Sequence, residues 1–244
     1  MIKITPIHFY TQKIDRKIRP NFSSSQFDQK ALGQKDISGI LVQTPEPTWV
    51  KDGNLLEAIN RLNHLKFDEG DIKYIQSLGV VLPFLSGEDA VNFIKTSHIG
   101  IKFGNLSSAN THARYDFDDN CIEINELYKN TQNPAEILAI AEAILHEAGH
   151  AKDKDGKSTL QEEIDCLSMN ALSHRVFSKN FPNVFSGANS LIVKDGVCVY
   201  ADLFFDENPL KLKLVSRLRQ KYGDLPMGDF KHPPSNLALK AKEG

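Results

Sequence analysis

Two histidines four residues apart, with a glutamate directly after the first, stand in the stretch Ala143-Ile144-Leu145-His146-Glu147-Ala148-Gly149-His150-Ala151-Lys152-Asp153. On a helix, that spacing puts both imidazoles on one face, one turn apart. Zinc takes convergent nitrogen and oxygen ligands, so His146 and His150 would supply half of a tetrahedral site. Glu147 would project beside them, within reach of a metal-bound water but not in a ligand position. The arrangement matches His-Glu-x-x-His, in which the glutamate is the general base of a metal hydrolase. Gly149 sits inside the same helix, where glycine costs about 1 kcal/mol relative to alanine. Its presence implies that something packs closely there.

Such a site needs a third protein ligand. The extended pattern His-Glu-x-x-His-x-x-Gly-x-x-His does not apply, because Asp153 and Gly156 occupy its later glycine and histidine positions. The following helix carries Gln161-Glu162-Glu163-Ile164-Asp165-Cys166, and two histidines completed by a carboxylate form a standard catalytic zinc set. Leu160, Ile164, Leu167 and Ala171 mark the apolar face of that helix, and Glu163 lies nearer to it than Glu162. Thr159-x-x-Glu162 also fits a capping box, which would give Glu162 a structural task. Glu163 is therefore preferred as third ligand, with Glu162 as the alternative. Asp165 is open to two readings, a partner that fixes a histidine tautomer or a surface aspartate.

With these residues in view, the chain resembles the gluzincin zinc metallopeptidases, the group that includes thermolysin, over about residues 111–178. The resemblance implies a zincin-like fold, a bound Zn2+ and peptide-bond hydrolysis. In that family a strand ahead of the motif helix pairs with extended substrate, and Cys121-Ile122-Glu123-Ile124-Asn125 is similarly placed. Family members often carry an aspartate four residues after the ligand glutamate. Here the residue four before Asp165 is Gln161, a poor zinc ligand, so the chain departs from the pattern at that point.

The elements that must position these residues are legible in outline. Asn133-Pro134 opens the motif helix, with asparagine as cap and proline at the first helical position, and Ile137, Ile140, Ala141, Ile144 and Leu145 line an apolar face. Ahead of it, alternation at Ile99, Ile101 and Phe103, at Ala113, Tyr115 and Phe117, and at Ile122 and Ile124 predicts a small antiparallel sheet. Residues 54–96 read as three short helices; Ser86-Gly87-Glu88-Asp89 starts the third and Gly79 suits the end of the second. After the third-ligand helix, which runs to about Lys179, Asp195-Gly196 between two apolar runs predicts a hairpin. Asn208-Pro209 opens a last basic helix that stops at Gly223. The division expected is a tail over 1–36, a helical segment over 37–97, a metallopeptidase domain over 98–230 and a C-terminal tail over 231–244. The fold class is α+β.

Composition bounds the function. With a formal net charge of −2 and 25% charged residues, the chain lacks the basic excess of a dedicated nucleic-acid binder. No apolar run is long enough for a membrane span, and the N-terminus has no signal-peptide core. Three widely spaced cysteines argue for reduced thiols and a cytoplasmic location rather than a disulfide framework. The basic stretch Lys211–Lys221 alternates with Leu210, Leu212, Leu214, Val215 and Leu218, as a solvated helix face does. His112, Tyr115, His174 and Tyr200 are candidate donors to a developing oxyanion. The function expected is a zinc peptidase acting on a peptide or protein substrate. A non-catalytic interaction protein with a structural zinc is the alternative.

Overall fold

A computed structural model of the chain describes residues 50–153, 155–186, 190–194, 199–205 and 212–243. The expected tail over 1–36, the Asp195-Gly196 turn and the Asn208-Pro209 helix start lie outside the described residues.

Three short helices come first, α1 (Gly53–Asn63), α2 (Glu69–Ser77) and α3 (Gly87–Thr96). Each is capped by a side chain of the expected type: Asp52, Asp68 and Ser86 accept from first-turn N–H groups. Gly79, at φ 83°, follows α2 in the left-handed conformation that ends many helices. α1 and α3 pack on the central helix α4 (Pro134–Asp153), and α2 packs on the helix that follows it. Their buried residues belong to one core with those of α4 and of α5 (Leu160–Asn180), the helix that carries Glu162 and Glu163. All of this lies in one unit spanning Pro45–Gly244.

The sheet is mixed rather than antiparallel. Strands β1 (Gly100–Gly104), β2 (Ala113–Asp116) and β3 (Cys121–Asn125) lie in the order β1-β3-β2. β2 runs antiparallel to β3 through a turn in which the Asp116 carboxylate accepts from the Asp118 and Asp119 N–H groups. β1 pairs parallel with β3, Gly100 opposite Cys121 and Gly104 opposite Asn125. The alternation of side chains signals a strand but not its direction. Direction is set here by the 105–112 connection, which carries β2 to the far side of β3. One face carries Ile101, Ile122 and Tyr115 in register, and Phe103, Ile124 and Ala113. On the other face Glu123 lies between Lys102 (3.1 Å) and Arg114 (2.7 Å).

α4 is buried more completely than one apolar stripe would require. From Leu138 to Ala151 every residue is buried except His146, Glu147 and His150. A helix apolar on nearly all sides belongs inside a core, so the three motif side chains are the openings in an otherwise covered rod. α5 packs along it. A Cβ on Gly149 would lie 2.6 Å from Cys166 Sγ and 3.0 Å from Met169 Cε. The glycine therefore permits the close approach that brings α5 onto the motif.

Two C-terminal expectations change. Leu191–Val193, expected as a strand, is helical, with Lys194 N–H donating to Ser190 O at 3.0 Å. The run beyond is α6 (Val199–Phe204). Burial of Ile192, Val193, Tyr200 and Phe204 outweighs the weak strand preference of β-branched residues, which depends on context. Residues 231–243, expected as a tail, pack on the core. After α7 (Leu212–Tyr222) they carry α8 (Asn236–Lys242), which buries Leu237, Ala238 and Ala241. Among the described residues no helix is long and apolar enough to cross a membrane.

Candidate metal centre

His146 and His150 point their Nε2 atoms at one another, 3.1 Å apart. Glu163, from the first turn of α5, brings Oε2 to 3.6 Å from His146 Nε2 and Oε1 to 3.6 Å from His150 Nε2. Two ligand atoms at the usual distance from one tetrahedral zinc are about 3.3 Å apart, so this donor set has the spacing such an ion requires. The three side chains are 12–13% exposed, enough for access from one side.

Glu162 is differently employed. Its Oε1 accepts from His150 Nδ1 at 2.6 Å, and its Oε2 accepts from the Thr159 N–H at 3.3 Å. Thr159 Oγ1 accepts in turn from the Glu162 N–H, closing the capping box. One carboxylate thus caps α5 and accepts from His150 Nδ1, an arrangement that would leave Nε2 to a metal on the Glu163 side. The adjacent glutamates divide the two tasks by helix geometry: a step of one residue turns the side chain by about 100°.

The charge states follow. Burial alone would lower the His150 pKa. The Glu162 hydrogen bond and the charges of Glu163, Glu147 and Glu162 overcome it and hold the value up, to about 9. Burial alone would raise Glu163. The His146 contact and the charges of His150, His146 and Lys221 overcome that and bring it down to about 2. A metal bound here would replace the His150 proton as the positive partner of the carboxylates.

The cluster opens into a cavity of about 480 Å³. Glu147 lines it beside His146 and His150. β2 forms one wall through Ala113, Arg114 and Tyr115; Ala143, Leu167 and Ile192 are also in its lining. The expectation that Cys121–Asn125 offers its edge to substrate is corrected by the strand order. β3 is paired on both sides, whereas β2 is an edge strand and lines the cavity.

Of the four candidate oxyanion donors, His112 and Tyr115 line this cavity, while His174 and Tyr200 do not. His112 Nδ1 lies 2.8 Å from the Tyr128 hydroxyl. His174 faces the buried Glu142 at 3.3 Å. Asp165 matches neither sequence reading. It is fully buried and bound to His232 Nδ1 (2.9 Å), Gln161 Nε2 (2.7 Å) and the Val81 N–H (3.1 Å), with no motif histidine in reach. Cys166 is a buried thiol beneath Gly149, its pKa pushed up by burial. The basic helix α7 buries Leu214, Val215 and Leu218. Its last two residues, Lys221 and Tyr222, reach the cavity, a placement that the sequence did not signal.

A second group of carboxylates, Asp153, Asp155 and Asp229, also has oxygens within 4.8 Å of one another. There the chain supplies its own cation: Lys231 Nζ lies 2.8 Å from Asp153 Oδ1 and donates to Asp153 O at 2.6 Å. Comparison of the chain with protein-family models, curated proteins and solved structures finds no match.

Proposed function

We propose that the protein is a zinc-dependent peptidase of the gluzincin type, with a zincin-like arrangement of α4, α5 and the small sheet. Zn2+ would be held by His146, His150 and Glu163. The observation that carries the reading is the convergence of those three donors at tetrahedral spacing, at the wall of an open cavity that Glu147 also lines. A structural zinc would be closed by a fourth protein ligand; among the described residues the group has three donors.

Zinc in this position would lower the pKa of a water toward 7 and polarise a carbonyl. The chain's own residues do the rest. Glu147 takes the water's proton and passes it to the leaving amine. Glu162 fixes the tautomer of His150. The edge of β2 away from β3, which pairs with no other strand among the described residues, offers backbone groups to an extended peptide, in the manner of strand addition.

The test is Glu147→Gln. The substitution keeps size and metal ligands but removes the proton acceptor. Elemental analysis should find one zinc per chain in both proteins. A peptide-library digest read by mass spectrometry should show cleavage by the wild type and a loss of about 10²–10⁴-fold in the variant. Equal cleavage by both sinks the mechanism, and absence of zinc from the wild type sinks the reading.

A further inference from the structure

The edge strand β2 has two chemically different faces. Side chains alternate along a strand, and Ala113 and Tyr115 lie on the face shared with Ile122 and Ile124. Those isoleucines belong to the core that α4 fills, and Ala113 and Tyr115 pack against it. The charges gather on the opposite face. Arg114 meets Glu123 there at 2.7 Å and Asp116 at 3.6 Å, and Lys102 meets Asp119 at 3.4 Å.

The core-side face of β2 ends in an aromatic pair. Phe117 stands two residues after Tyr115, and the rings meet edge to face, their centroids 4.8 Å apart and their planes inclined by 67°. Tyr115 is held in place. Its hydroxyl donates to Asn120 Oδ1 (2.7 Å), and Asn120 Nδ2 donates to Ser97 O and His98 O (3.1 Å each). Phe117 is 41% exposed. Both rings line the cavity that His146, Glu147, His150 and Glu163 also line, together with the buried Leu167 and Ile192. An open ring braced by a second, fixed ring is a preformed apolar surface, and a ligand that covers it loses little entropy in ordering it.

An extended peptide added to the free edge of β2 would place every second side chain on the core-side face, beside Ala113 and Tyr115. We propose that Tyr115 and Phe117 determine specificity, forming a subsite for one large apolar side chain, aromatic or branched aliphatic, of an extended peptide substrate. Ala113 offers only a methyl group, so the substrate residue two places along is less restricted. The inference rests on the peptidase reading above and adds to it the class of residue that the substrate must carry.

A peptide-library digest tests this. Peptides cut by the wild type should carry Phe, Tyr, Leu or Ile at one fixed distance from the scissile bond. For matched peptides with leucine or serine at that place, the leucine-to-serine ratio of kcat/KM should fall about 10-fold or more in Phe117→Ser at equal zinc content, the scale on which an apolar pocket discriminates. Phe117→Leu keeps an apolar surface and should keep most of the ratio. An unchanged ratio in Phe117→Ser, a wild-type digest with no preference at any fixed place, or a preference there for charged side chains overturns the proposal and leaves the peptidase reading standing. A wild type that binds zinc and cleaves no peptide overturns that reading, and this inference with it.

Discussion

Two glutamates at the α4–α5 interface face histidines, and their pKa values move in opposite directions. Glu163 lies against two imidazoles, and its pKa is drawn down to about 2. Glu142, one helical turn before His146, is fully buried and faces His174 at 3.3 Å. Burial dominates there, and although the His174 contact pulls the other way, the pKa rises to about 7. The difference teaches what makes a carboxylate available to a metal. A ligand must be deprotonated, and Glu163 stays so across the physiological range because several positive neighbours outweigh its desolvation. With fewer such neighbours Glu142 lies at the edge of neutrality, which suits a core position and not a ligand.

The largest effect should come from breaking the Glu163 side. Glu163→Gln is expected to cost more than 100-fold in zinc affinity, since it removes a direct ligand, whereas Glu162→Gln should cost about 10–100-fold through the tautomer of His150. Chelator competition ranks them. The reverse order moves the third ligand to Glu162, and no effect from either removes the metal site.

On the Glu142 side the expected effect is on stability and its pH dependence. The folded pKa of about 7 exceeds the ordinary 4.5, so between those values the folded state binds more protons than the unfolded one. Stability contributed by this group is full below pH 4.5 and is lost as pH rises through 7. The loss is on the order of 3 kcal/mol. Urea unfolding at pH 5 and pH 8 should show it in the wild type and not in Glu142→Gln, with zinc content unchanged. Parallel pH profiles in the two proteins would break the contrast.

The smallest effect tests the packing that brings the helices together. In Gly149→Ala the new methyl meets Cys166 Sγ at 2.6 Å. Overpacking costs about 1–3 kcal/mol, partly offset by about 1 kcal/mol of helix propensity. A net loss of roughly 1 kcal/mol is expected, with weakened zinc binding because α5 must shift. An unchanged melting temperature and affinity would show that the approach at Gly149 does not set the triad.

Local chemistry made much of this molecule legible in its sequence. The Asn133, Ser86 and Thr159 caps are short-range devices, complete within three residues of chain. The spacing of His146 and His150 is a property of one helix, and the face argument separated Glu163 from Glu162 within one turn of another. Other features depended on contacts between distant segments, which no periodicity encodes. The direction of β1 is set by where the 105–112 connection crosses, not by the residues of the strand. Leu191–Val193 is helical because its burial outweighs a preference worth about 1 kcal/mol at most. Asp165 found His232, 67 residues on, because the segment after α7 packs against the start of α5. A sequence displays which groups can do chemistry and the local frame that holds them. Which distant groups then meet is decided by packing, where many weak contacts are satisfied together and only the folded chain brings them within range.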